Sequence, residues 1–133
     1  MVIDTSALIA ILAQEDDAAR LAEAIQQAEV RLVSAATLTE AGVVVTAVFG
    51  DGGGADLDDL MEAMQVEVVP LTEDHARLAR DGFARFGKGR HPARLNLGTC
   101  FSYALAKASG HPLLSKGNDF SLTDVEAVPT ASA

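Results

Sequence analysis

Cysteine is almost absent from this chain. One residue in 133, Cys100, carries a thiol, so no disulfide can form within the chain and a disulfide-stapled scaffold is excluded. Long apolar runs are missing as well. No stretch approaches the roughly 20 apolar residues that span a bilayer. The apolar opening, Met1-Val-Ile, is cut by Asp4, with no basic segment before it and no cleavage site after it. These absences lead to the expectation of a soluble, cytoplasmic protein that does not enter a membrane. The three histidines, His75, His91 and His111, have neither helical pair spacing nor cysteine partners, which argues against a zinc site. No internal repeat and no linker divides the chain, and its length suits one domain, 1–133.

Positive charge is also scarce. Ten Lys and Arg face 19 Asp and Glu, for a net charge of −9, a poor balance for holding nucleic acid non-specifically. The scarcity is uneven. Eight of the ten bases (Arg77, Arg80, Arg85, Lys88, Arg90, Arg94, Lys107 and Lys116) fall in one stretch whose only acid is Asp81. That stretch carries +7 and the remainder −16. An acidic protein with one basic zone can hold a polyanion there; solvated helix faces would account for the same pattern.

What is present is a regular alternation. Met1–Asp4 reads as a short buried strand ending in a carboxylate, followed by a helix over ALIAIL that Thr5 or Ser6 can cap. Glu15–Ala28 has the composition of an amphipathic helix, and Val30–Val33 that of a second strand. Ser34 caps a helix from Ala35 to about Phe49. The glycines of 50–54 predict a loop, and Leu57, Leu60, Met61 and Met64 place a helix over Ala55–Met64. Val66–Val69 is a third strand, stopped by Pro70. Thr72 caps a helix to about Phe86, and Gly87–Pro92 is a basic loop. Asn96 caps a helix over Leu97–Ser109 that Gly110 ends. Pro112–Leu114 forms a fourth strand and Val125–Val128 offers a fifth. Strands alternating with helices predict a three-layer α/β/α domain around a mostly parallel sheet of four or five strands. The chemistry of such sheets lies beyond the carboxyl ends of the strands.

Three acids stand where that rule looks. Asp4 ends the first strand; a helix cap is its plain alternative, but Thr5 and Ser6 are available for that task. Glu40 is the only charged residue between Arg31 and Asp51, and its helical neighbours Ala36, Thr37, Val43 and Val44 form a core-facing or cleft-facing stripe. Burying a carboxylate there is costly unless it is paired, neutralised or metal-bound; a solvated glutamate on an exposed edge is the plain alternative. Asp119, in Lys116-Gly-Asn-Asp-Phe, follows the fourth strand, where an ordinary Asn-Asp turn is also natural. Carboxylates meeting at one sheet edge suit Mg²⁺ or Mn²⁺.

Over nearly its whole length the chain resembles the PIN-domain toxins of VapBC toxin–antitoxin systems. Met1-Val-Ile-Asp4-Thr-Ser-Ala is similar to the family's first acidic motif, and Glu40 in Ala-Ala-Thr-Leu-Thr-Glu matches the second. Gly87-Lys-Gly-Arg-His-Pro-Ala-Arg-Leu-Asn-Leu-Gly resembles the approach to the third, and Lys116-Gly-Asn-Asp119-Phe the fourth. One departure matters: Thr99 stands where the family pattern has an aspartate. The resemblance implies an endoribonuclease dependent on Mg²⁺ or Mn²⁺, with Asp4, Glu40 and Asp119 catalytic. Asp4, Thr99 and Asp119 would then be metal ligands, and Lys88, Arg90 and Arg94 would hold RNA. It further implies a homodimer and a VapB-type antitoxin partner. Thr99 brings a hydroxyl but no charge, so activity is expected to be reduced or lost. The competing readings are a catalytically inactive PIN-fold protein binding antitoxin or RNA, and a receiver-type signalling domain. A receiver needs an acid after its third strand, where this chain has Val69-Pro70-Leu71.

Overall fold

The computed structural model describes residues 1–129; the last four positions assigned to the domain lie outside the described residues. Four short strands, β1 (Val2–Ile3), β2 (Leu32–Ser34), β3 (Glu67–Val69) and β4 (Leu113–Leu114), form one sheet in the order β3-β2-β1-β4. Every pairing is parallel, with Val2 beside both Leu32 and Leu113, and Val33 beside Val68. Six α-helices flank it: α1 (Thr5–Leu12), α2 (Ala18–Gln27), α3 (Ala35–Phe49), α4 (Gly52–Ala63), α5 (Glu73–Phe86) and α6 (Leu97–Ser109).

β1, β2 and β4 are short and buried because both their faces are covered, with successive residues pointing to opposite faces; the edge strand β3 is largely exposed. Val2, Leu32 and Leu113 pack with Leu95, Tyr103, Leu105 and Phe120, the layer built on α5 and α6. Their neighbours Ile3, Val33 and Leu114 pack with Leu8, Leu21, Ile25, Val45 and Leu57, the layer built on α1 to α4. The expected three-layer architecture follows from this alternation. Strand order reverses at β1, whose neighbours are β2 on one side and β4 on the other. Ligand crevices of parallel sheets open at such a reversal, and here Asp4 occupies the carboxyl end of β1.

Local chemistry set several boundaries as expected. Ser34 caps α3, Thr72 caps α5 and Asn96 caps α6, each through a side-chain acceptor. Gly110 ends α6 in the left-handed conformation. Other expectations are corrected. Asp4, not Thr5 or Ser6, caps α1. The second helix begins at Ala18 rather than Glu15. The glycine run is not a loop throughout: α4 starts at Gly52, and Gly53 lies against the Val45 carbonyl of α3, where a Cβ would collide. Close approach of two helices, not chain flexibility, explains that glycine. Val125–Val128 makes only a bridge, Ala127 beside Leu113, so the sheet has four strands among the described residues. On α3 the buried face is Thr37, Ala41 and Val45, whereas Val43 is exposed.

The segment after β4 is tied down by Asp124. Its carboxylate accepts from Tyr103 Oη at 2.9 Å, Lys107 Nζ at 3.0 Å and Arg85 at 3.2 Å. Burial works against its charge, but hydrogen bonds from Lys107 and Tyr103 and the charges of Lys107 and Arg85 outweigh it. The Asp124 carboxyl is thereby held below its ordinary value. A carboxyl depressed by folding contributes stability that is complete above the unfolded value and disappears as pH falls through the folded one. The protein should therefore lose stability below about pH 4 more steeply than Asp124→Asn. Chemical denaturation at a series of acid pH values measures this, and parallel curves for the two proteins would refute it.

Candidate hydrolytic site at the carboxyl edge

Asp4 is only 3% exposed, and three donors fill its surroundings. Oδ2 accepts from the backbone N–H of Ser6 at 3.1 Å and from Ser6 Oγ at 2.7 Å. Oδ1 accepts from Ser102 Oγ at 2.6 Å, a bond across 98 residues of chain. Ser102 is itself fully buried on α6, and Thr37 Oγ1 of α3 lies 3.3 Å from its hydroxyl. Ser6 Oγ in turn accepts from the backbone N–H of Lys116, at 3.0 Å, where the chain leaves β4. Ser6 thus ties the end of β1 to the exit of β4, and Ser102 joins α6 and, through Thr37, α3 to the same carboxylate. Charged acceptors held by several hydrogen bonds are the strong, well-oriented kind.

Glu40 enters the same cluster from α3. Thr5 Oγ1 donates to its Oε1 at 2.5 Å and has the Thr37 carbonyl as a weaker acceptor at 3.4 Å. The carboxylate of Glu40 lies directly against Gly98 in the first turn of α6. The close approach that Gly98 permits is therefore made by the protein's own acid. Asp4 and Glu40 are brought together, bridged by the consecutive pair Asp4-Thr5 and by Thr37 and Ser102 behind them.

Thr99 and Asp119 are placed differently. Thr99 is half-buried beside Gly98, but its hydroxyl serves its own helix end. Thr99 Oγ1 accepts from the Asn96 N–H at 2.8 Å and reaches the Asn96 carbonyl at 3.1 Å. The Thr99 N–H donates to Asn96 Oδ1 at 2.9 Å. This reciprocal capping box satisfies two otherwise orphaned donors. Asp119 opens a 3₁₀ turn, Asp119–Leu122, five residues past β4, and is exposed. Among the described residues, no three His, Cys, Asp or Glu side chains form a group that could hold a metal ion. Mg²⁺ is commonly held through one or two carboxylates with waters completing its shell; Asp4 and Glu40 are the acids placed together here, and the capped Thr99 hydroxyl adds no charge to them.

Ser102, a wholly buried hydroxyl, is not among the residues the sequence singles out, whereas Thr37, in the stripe beside Glu40, is buried as expected. A signal existed: Ser102 is a polar residue amid the apolar run Cys100-Phe-Ser-Tyr-Ala-Leu, where a buried hydroxyl needs a partner.

The basic loop leads straight into this cluster, with Arg94 four residues ahead of Gly98. It is closed by Lys88 N–H to the Leu95 carbonyl at 2.8 Å and Leu95 N–H to the Phe86 carbonyl at 2.9 Å. His91 stiffens it: its Nδ1 accepts from the Ala93 N–H at 3.0 Å, and its ring meets Phe86 edge-on. Arg94 adopts a positive φ of 58°, uncommon for a bulky residue and a sign of local constraint. Arg90 directs one N–H to the Ala84 carbonyl. Lys88 and Arg94 are exposed and make no ion pair among the described residues. Nearby, α5 and α6 enclose a mostly apolar groove of about 400 Å³ lined by Ala76, Ala79, Phe83, Leu97, Cys100 and Phe101, with Arg80 beside them. Burial there pushes the Cys100 thiol up to about 11, which leaves it unreactive at neutral pH.

The PIN domain profile matches residues 1–126. A protein named Ribonuclease VapC from Mycolicibacterium smegmatis is 52% identical over 128 residues, which cover 96% of this chain and 99% of that one. Ribonuclease VapC30 of Mycobacterium tuberculosis is 48% identical over 128 residues, covering 96% and 98%. Among solved structures, Mycobacterium tuberculosis VapC20, described as a Sarcin-Ricin loop cleaving toxin, superposes with a TM-score of 0.76 at 19% identity, covering 96% of this chain and 97% of that one. A toxin–antitoxin complex from Klebsiella pneumoniae does so with a TM-score of 0.70 at 16% identity, covering 99% and 98%.

Proposed function

The chain belongs to the PIN-domain family, in its VapC branch, and on that premise we propose that it is an RNA-directed ribonuclease toxin whose hydrolytic site is impaired. The observation that carries this reading is the contrast at one sheet edge. Asp4 and Glu40 are held together by hydroxyl donors, while Thr99 brings no charge and turns its hydroxyl onto its own cap.

In this reading Glu40 is oriented by Thr5 through Oε1, which leaves its other oxygen to take a proton from an attacking water. Asp4 is the fixed negative centre of the site, and Asp119 is its outlying third acid. Lys88 and Arg94, with Arg90 behind them, bind backbone phosphates; they are three of the eight bases in the +7 stretch, whereas Arg77, Arg85, Lys107 and Lys116 are paired with acids. Mg²⁺ or Mn²⁺ is the cofactor the family implies; Asp4 and Asp119 would help hold it, and an acid at position 99 would strengthen that hold. The protein works in the cytoplasm as a homodimer neutralised by a VapB-type antitoxin. The two named relatives and the toxin–antitoxin neighbour support the toxin role and the antitoxin partner; no helix among the described residues is long and apolar enough to cross a membrane.

Incubation of the purified protein with structured RNAs, with and without Mg²⁺ or Mn²⁺, tests the reading. Binding with slow or undetectable cleavage is expected. Fast metal-dependent cleavage would show that Thr99 is no impairment, and absence of RNA binding would remove the RNA-directed role. A second measurement concerns the loop. Lys88→Ala combined with Arg94→Ala should weaken RNA binding and lower the slope of log affinity against log salt by about two, one for each phosphate that is no longer neutralised. An unchanged slope over several salt concentrations would place the RNA elsewhere.

A further inference from the structure

Gly98 is the second residue of α6. Its backbone does not call for glycine, because its φ lies outside the left-handed region that Gly50, Gly89, Gly110 and Gly117 occupy. Within a helix, glycine is the poorest choice after proline, and alanine the best. Something other than main-chain conformation must account for it. A Cβ at this position would fall on Glu40, inside van der Waals contact with Oε2, Cδ and Oε1. All three atoms belong to one carboxylate, and that same carboxylate receives the Thr5 hydroxyl at 2.5 Å. Glu40 is thus held between a hydrogen-bond donor on α1 and an empty place on α6.

We infer that Gly98 and Thr5 are positioning residues for Glu40: the glycine leaves the space that the carboxylate occupies, and the threonine fixes its orientation there. The catalytic consequence rests on the ribonuclease reading, whereas the cradle itself does not. The end of a glutamate side chain is mobile, so a methyl group at position 98 would displace the carboxylate rather than unfold the protein. Gly98→Ala is therefore expected to fold, keep its RNA affinity and misplace the acid. Displacing a reacting group by about an ångström costs on the order of 100-fold in rate.

The experiment has two arms. The first is a stability cycle, which needs no activity. With Glu40 replaced by alanine the space is vacant, and Gly98→Ala should raise the melting temperature by about 3 °C through helix propensity. With Glu40 present the same substitution should gain little or nothing, because the acid is expelled and loses Thr5. Equal gains in both backgrounds would overturn the cradle. The second arm measures cleavage and RNA affinity in Thr99→Asp protein. There Gly98→Ala and Thr5→Val should each lower kcat by about 10–100-fold with the RNA dissociation constant unchanged, and Thr5→Ser should restore most of the rate. An unchanged kcat in cleaving protein would overturn the positioning role. Should Thr99→Asp protein not cleave at all while the stability cycle shows coupling, the cradle stands and the ribonuclease reading fails.

Discussion

Thr99→Asp should raise RNA cleavage and divalent-metal affinity by about 10–100-fold or more over the native chain, since changes even one layer beyond a metal's ligands are worth that much. The substitution adds a full negative charge one residue from Gly98, against which the Glu40 carboxylate lies. An acid is tolerated well there by the helix itself. Position 99 is the third residue of α6 and already partners Asn96 in a capping box, a place that favours Glu or Gln and gains from the positive end of the helix dipole. In metal-free protein that gain is opposed by repulsion from Glu40 and Asp4. Mg²⁺ or Mn²⁺ would relieve the repulsion, so the variant's stability should climb with metal concentration as RT ln(1 + [L]/Kd), while that of the native chain stays nearly flat. The variant should also be toxic to a cell lacking antitoxin. Titration calorimetry, melting curves with and without metal, and an RNA cleavage assay on both proteins measure the outcome. If metal affinity does not move and the variant cleaves no faster than a native chain that does cleave, the new carboxylate remains in the cap, and position 99 contributes to the helix end rather than to the site.

Removing Asp4 should produce the largest loss. Asp4→Ala takes away the cap of α1, worth about 1 kcal/mol, and deprives the buried Ser102 hydroxyl of its acceptor, worth about 1–3 kcal/mol. Thr37 lies 3.3 Å away and can take over part of that role, so a total loss of about 2–3 kcal/mol is expected. Asp4→Asn retains an acceptor oxygen and most of the cap, and should cost less than half as much. For chemistry the two should be alike. In Thr99→Asp protein either change should lower cleavage by about 100-fold or more, because the charge is gone in both. Urea denaturation and cleavage rates on the same pair separate the structural duty of Asp4 from its chemical one. Persistent cleavage by Asp4→Asn would exclude Asp4 from the reaction.

The alternation of elements and the limits of α3, α5 and α6 were set by the sequence alone, because each depends on neighbours a few residues apart, and the parallel three-layer plan was legible from that alternation. Ser34, Thr72 and Asn96 cap the helix that follows them, and Gly110 needs only its own missing Cβ to turn the chain. The duty of Thr99 is local too: Asn96-Leu-Gly-Thr99 has the spacing of a capping box, and the hydroxyl answers to it. Glu40 was conspicuous as a lone charge in an otherwise uncharged helix. What holds it was not legible, since Thr5 lies 35 residues away in sequence and Gly98 further still. Likewise the strand end marked Asp4, but Ser102, 98 residues on, could be joined to it only by packing α6 against β1. The glycines of 50–54 show the reverse case. Local propensity favours a loop there, and the approach of α4 to the Val45 carbonyl makes three of them helical. Asp119 was found as a motif, yet its place on an exposed turn was decided by how the chain after β4 is drawn toward Asp124 and α6. Contacts within one helical turn are written in consecutive residues. A carboxylate's donors are whatever the folded layers bring to it, and only the tertiary structure chooses them.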